Sequence, residues 1–242
     1  MKEDKIIVAK NISKTCRSKE ILNIDNFEVF KNKFNFIIGA NGSGKTSLLN
    51  ILSLVDQDYK GELYYKGKKI DKPEQNLELR RKFAVIWQEP YLYRGDVFYN
   101  IALPLKLRHF NQKLIGKKVK EISKKLEIEN LLGQSAYTLS GGERQKISIA
   151  RALIVEPEIL FVDESTTNLD EESIEFFNSH FADLVTDEMT VIMVSHDRRQ
   201  IKKLADYITL IHKGEVETSK RITNFNFKLF GAGIEAPITE LV

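Results

Sequence analysis

Apolar residues fall into two periodicities along this chain. Ile6-Ile7-Val8, Ile12, Ile21-Leu22 and Phe27 to Phe30 form short extended groups between charged or Asn-rich residues, which predicts an antiparallel sheet over residues 4–36. Phe34 to Ile38 reads as a short apolar strand, and Ser47 to Val55 as an amphipathic helix beginning where a glycine-rich turn ends. Tyr59 to Ile70, with Gly61 and Gly67 around Glu62-Leu63-Tyr64-Tyr65, is hairpin-like. Phe83 to Trp87 is an apolar strand that stops at Gln88-Glu89-Pro90.

The period then lengthens. From Tyr91 to about Ile154 the pattern is helical, with Val119, Ile122 and Leu126 on one face and Ile147, Ala150 and Ile154 on another. Beyond it strand and helix alternate. Ile159 to Val162 and Val191 to Val194 are buried strands, Ile174, Phe177, Phe181 and Leu184 mark a helix face, and Asp197 to Ala205 precedes a strand over Tyr207 to His212. Such alternation predicts a parallel sheet, so the fold class is α/β with an antiparallel β subdomain and an inserted helical subdomain. From Thr218 onward weak alternation predicts an edge strand or a packed extension.

Candidate chemistry starts in the glycine-rich turn, Gly39-Ala40-Asn41-Gly42-Ser43-Gly44-Lys45-Thr46. Glycines at this spacing reach backbone angles closed to other residues, so successive N–H groups can line one concavity backed by a helix N-terminus. That is a phosphate site. Lys45 would reach the β- and γ-phosphates, and the Thr46 hydroxyl would ligate Mg²⁺. Asp163-Glu164 ends the strand Ile159 to Val162: the aspartate is placed to hold the Mg²⁺ shell, and the glutamate to polarise a water for attack on the γ-phosphate.

Composition adds limits. At 242 residues the chain suits one nucleotide-binding unit with appended subdomains. A net charge of +3 is too mild to argue for nucleic acid. The single cysteine, Cys16, rules out a disulfide framework or a Cys-rich metal site and suits a reducing cytosol. The acidic start of the chain does not read as a signal peptide, and no apolar run approaches the roughly 18–20 residues of a membrane span. A membrane role would thus be peripheral, on the cytoplasmic face. Between Lys106 and Asn130 basic residues outnumber acids, which fits either a solvated helix face or a surface for anionic lipid headgroups.

Leu139-Ser140-Gly141-Gly142-Glu143-Arg144-Gln145 narrows the reaction. With this stretch the chain resembles the ATP-binding cassette (ABC) family, whose signature motif is LSGG at a helix start. Ser140, Gly141, Gly142 and Glu143 would form a second phosphate cradle, and two cradles on one chain imply a head-to-tail homodimer that sandwiches ATP. The resemblance implies a P-loop NTPase core over 1–88 and 155–217, a helical signature subdomain over 89–154 and an extension over 218–242, all in one ABC ATPase domain. ATP would bind Gly39 to Thr46, Ser47 and the early loop. Gln88 matches the Q-loop glutamine on Mg²⁺ or the attacking water, Asp170 the dimer-seam aspartate, and His196 the switch histidine at the γ-phosphate. Mg²⁺ would be held by Thr46, Gln88 and Asp163.

Two positions depart from the family pattern. Cys16 stands where relatives carry an aromatic ring for adenine, and Ser165 replaces a proline. The resemblance implies an ATPase subunit of a multi-subunit transporter working with separate transmembrane permease subunits, at a docking groove near Gln88 to Arg94 that exposes Tyr91, Leu92 and Tyr93, and with a solute-binding protein. Trp87 to Tyr93 and Thr190 to Gly214 look most like tungstate/molybdate-type oxyanion importers. Phosphate, amino-acid and lipoprotein systems stay open, as does a soluble ATPase of an iron–sulfur-type assembly complex.

Overall fold

The computed structural model describes residues 4–71, 76–164 and 180–222. The chain divides into two compact units, Met1–Gln75 with Ile192–Val242, and Asn76–Val191.

The first unit begins with β1 (Lys5–Cys16) and β2 (Lys19–Phe30), antiparallel strands of 12 residues each. They are longer than the short groups in the sequence suggest. The polar interruptions are the outward half of a period-2 alternation, so Ala9, Ile12, Leu22, Ile24, Phe27 and Val29 are all buried. Their connection is the pair Arg17-Ser18, both at positive φ (49° and 66°), a handedness that matches the strand twist. β4 (Lys60–Tyr65) and β5 (Lys68–Lys69), the expected hairpin, complete a four-stranded sheet in the order β2-β1-β4-β5.

A second sheet in this unit leads into the glycine-rich turn. β3 (Phe34–Ile38) pairs in parallel with β9 (Tyr207–His212), and β8 (Thr190–Val194) flanks β3 on its other side. α1 (Lys45–Leu52) buries Leu48, Leu49, Ile51 and Leu52. α6 (Arg198–Leu204) follows β8 and is capped by Asp197, whose carboxylate accepts from the Arg199 N–H at 2.8 Å. β10 (Glu215–Arg221) is antiparallel to β9, and residues 223–242 of the tail expected to be an edge strand or packed extension lie outside the described residues.

The second unit holds β6 (Phe83–Ile86), β7 (Ile159–Asp163) and helices α2 (Leu77–Arg80), α3 (Val97–Leu107), α4 (Gln112–Lys125) and α5 (Gly141–Leu153). β6 and β7 are parallel, Ile86 lying opposite Val162, so the chain leaves both strands at the same edge with Gln88 and Glu164 two residues on. Ile101, Leu105, Ile115, Val119, Leu126, Ile147, Ala150 and Ile154 are buried and include most of the predicted helix faces. The α3 interior contains Pro104, which removes one backbone donor without ending the helix.

Candidate functional site

Backbone geometry builds the phosphate loop. Gly39 follows Ile38, which pairs with Leu210, and so it runs beside Ile211. Its φ is +151°, and a Cβ there would collide with the Ile211 carbonyl oxygen. Gly44, at φ +105°, presses on Leu22 and caps α1 with no side-chain acceptor. A helix end of this kind is suited to an anion as its acceptor. Gly42, at φ +78°, faces open space: a Cβ there would meet nothing within 4 Å.

The side chains fit the same ligand. Lys45 is 5% exposed, and its ammonium donates to the carbonyls of Gly39 and Ala40 at 3.0 Å each, so the cation is held against the loop. The Ser43 hydroxyl is buried with no hydrogen-bond partner among the described residues. A buried orphan polar group is costly, about 1–3 kcal/mol, and a phosphate oxygen would satisfy it. Thr46 is exposed and Ser47 half-buried at the start of α1.

In the second unit Ser140 is the N-cap of α5, within a capping box. Its hydroxyl accepts from the Glu143 N–H at 3.3 Å, and the Glu143 carboxylate accepts from the Ser140 N–H at 2.8 Å. Capping and ligand binding are compatible here, because the hydroxyl proton is left to donate and Ser140 and Gly141 stay exposed. Glu143 fixes the serine in place. Asp163, 3% exposed, ends β7, and Glu164 after it sits at φ +37°, a left-handed backbone unusual for a side-chain-bearing residue. Gln88 is half-buried. In the first unit, Ser195 is buried with its hydroxyl accepting from the Asp197 N–H at 3.1 Å, and His196 between them is exposed. Asp170 lies outside the described residues, as does Ser165.

The sequence pattern of the ABC transporter family matches residues 22–167, spanning the phosphate loop, the signature stretch and the acidic pair. The chain belongs to the ABC transporter family. It is 34% identical to the tungstate uptake system ATP-binding protein TupC of Peptoclostridium acidaminophilum over 211 residues, 87% of this chain and 96% of that protein. Among solved structures it is similar to the dimeric bacterial ABC transporter cassette MJ0796, with a TM-score of 0.80 and 29% identity over 91% of this chain and 100% of that one. The fold is also that of cbiO1 from Clostridium perfringens, part of the ABC transporter complex cbiONQ, with a TM-score of 0.79 and 22% identity over 90% of this chain and 89% of that one.

Within this ABC ATPase, three features of the site come from the structure alone. The segment after Gln88 is clamped from within its own unit: Asn100, fully buried, accepts from the Tyr93 N–H at 2.7 Å and donates to the Tyr93 carbonyl at 3.0 Å. The Arg151 guanidinium of α5 covers the Tyr93 ring at 5.6 Å, and burial pulls its pKa below the ordinary arginine value. No spacing rule marks either residue. The third is a correction to the docking segment. Tyr91 (65% exposed) and Tyr93 (44%) are open as expected, packed edge to face at 5.2 Å, but Leu92 between them is buried at 8% because the extended segment turns alternate side chains inward.

Cys16 ends β1 opposite Lys19 and is exposed with a free thiol. It offers no ring face for a base.

Proposed function

We propose that this chain is the ATP-hydrolysing subunit of an importer for tungstate or a closely similar oxyanion, acting as a head-to-tail dimer on separate permease subunits. The likeness to the tungstate uptake ATP-binding protein over nearly the full length of both chains carries the cargo reading. Loop geometry supports the ATPase reading. The glycine-rich loop offers open space at Gly42, a buried hydroxyl at Ser43 without a partner among the described residues, and a buried ammonium at Lys45.

In this reading Lys45, Ser43 and the loop amides hold the β- and γ-phosphates. Thr46, Gln88 and Asp163 are the donors for Mg²⁺. Their hydroxyl, amide and carboxylate oxygens are hard donors of the kind that would hold Mg²⁺. Among the described residues no group of three or more His, Cys, Asp or Glu side chains forms a separate metal site. When bound, Mg²⁺ would supply charge neutralisation on the phosphates. Glu164 polarises the attacking water and His196 contacts the γ-phosphate. Ser140, Gly141 and Gly142, with Glu143 bracing the cap, act on the ATP of a second copy, with Asp170 at the seam. Tyr91 and Tyr93 meet the permease on the cytoplasmic face of the membrane. A solute-binding protein delivers the anion.

The test is reconstitution of this chain with its co-purifying hydrophobic subunits in proteoliposomes. Tungstate-loaded binding protein is expected to stimulate ATP hydrolysis, with phosphate giving little. Stimulation by phosphate or an amino acid would overturn the cargo, and failure to recover any hydrophobic subunit would overturn the transporter reading.

The adenine end yields a separate prediction. Base stacking on an aromatic is worth roughly 1–3 kcal/mol, so Cys16→Tyr is expected to tighten ATP binding about tenfold. The native protein should discriminate ATP from GTP only modestly. A titration in which Cys16→Tyr leaves affinity unchanged would remove the position from the base site.

A further inference from the structure

We propose that the outward face of α4, together with Leu107 and Phe110 at its N-terminal end, is a contact surface for an anionic lipid bilayer, made in addition to any permease contact.

Lys113, Lys117, Lys120 and Lys124 are exposed, and at 100° per residue they fall within about 60° of one another on the helix. The buried residues Ile115, Val119 and Ser123 are centred about 130° around the helix, so the lysines point outward, away from the packed face. They span about 16 Å of axis. α4 has a single acid, Glu121, which pairs with Lys117 at 3.7 Å. Lys118, off the stripe, is paired with Glu156 at 2.6 Å.

A merely solvated face does not account for this arrangement. Lys113–Lys117 and Lys120–Lys124 are like-charge pairs four residues apart, which destabilise an isolated helix. Lys113 also lies in the first turn, where the helix dipole disfavours cations and no acid offsets it. An anionic surface relieves both costs.

The apolar part adjoins the stripe. Leu107 is 67% exposed and Phe110 38%, on either side of a tight turn in which His109 adopts φ +59°. Arg108 between them donates to the Arg81 carbonyl at 2.7 Å, which brings the end of α2, with exposed Arg80, alongside. Exposed apolar side chains beside a basic stripe whose helix carries one acid match an interfacial helix, whereas a nucleic-acid surface has no use for Leu107.

Binding of the full chain to phosphatidylcholine vesicles with and without phosphatidylglycerol tests the proposal by co-sedimentation. Binding is expected only with phosphatidylglycerol and should weaken with salt. Each lysine contributes about fivefold to partitioning, so K113Q/K117Q/K120Q/K124Q should lower it at least about tenfold. A charge-matched control on the other unit, K19Q/K31Q/K60Q/K68Q, should change it less than about twofold, and L107Q/F110Q should weaken what binding survives in high salt. Basal ATP hydrolysis should be unchanged in all three. Equal binding to neutral vesicles, equal loss in stripe and control variants, or retention of duplex DNA without vesicle binding would overturn the proposal while leaving the ATPase reading intact.

Discussion

Glu164→Gln is expected to lower the ATP hydrolysis rate by roughly 10²–10⁴-fold while ATP binding persists, the range for removal of a general base, the role proposed for Glu164. The amide is nearly isosteric with the carboxylate, so the variant should keep the packing at the end of β7 while losing the proposed ability to polarise water. Nucleotide then stays bound. With hydrolysis blocked, an ATP-dependent dimer should accumulate and be visible by size-exclusion chromatography if, as proposed, Ser140 of one copy holds the ATP of the other. The backbone supplies a control. Glu164 sits at φ +37°, a conformation that costs a side-chain-bearing residue about 1–2 kcal/mol, so Glu164→Gly should also abolish hydrolysis yet raise stability or leave it level. Wild-type turnover in Glu164→Gln would remove the residue from the chemistry.

Gly39→Ala has the largest expected effect on the fold itself. A methyl at φ +151° would strike the Ile211 carbonyl of β9, a strand too well buried to yield, and would stand 2.8 Å from Ser43 Oγ. Strain and overpacking together should cost about 3–5 kcal/mol, or about 10 °C in melting temperature for a chain of this size. ATP binding should fall at least about a hundredfold, because Lys45 takes its place from the Gly39 and Ala40 carbonyls. Gly42→Ala separates the two causes. Its Cβ meets nothing in the free protein, so the melt should drop by only a few degrees, but the methyl would stand in the open space proposed for the phosphates and weaken ATP binding. If both variants melt and bind like the native protein, the loop is not a cradle of this shape.

Much of the site was legible because its parts are local. A glycine-rich turn between a strand and a helix, a serine heading a helix with Glu143 three residues on, and an acidic pair ending an apolar strand are all set by neighbours within one turn of chain. The strand Tyr207–His212 has the bounds that its apolar run predicts. The β1 and β2 segments were harder, because period-2 alternation broken by bulges looks like a series of short strands. Asn11, at φ +51° opposite Gly61, is one such irregularity.

By itself the sequence determined the family, the phosphate loop and the signature helix, since backbone angles and capping bonds depend on residues close together in the chain. Tertiary structure alone decided the rest. It made Gly39 irreplaceable through a carbonyl on β9, buried Leu92 between two exposed tyrosines, and tied Tyr93 to Asn100 and Arg151. Each of these is a steric or hydrogen-bonding demand from a residue brought near by strand pairing or helix packing, which local spacing does not encode.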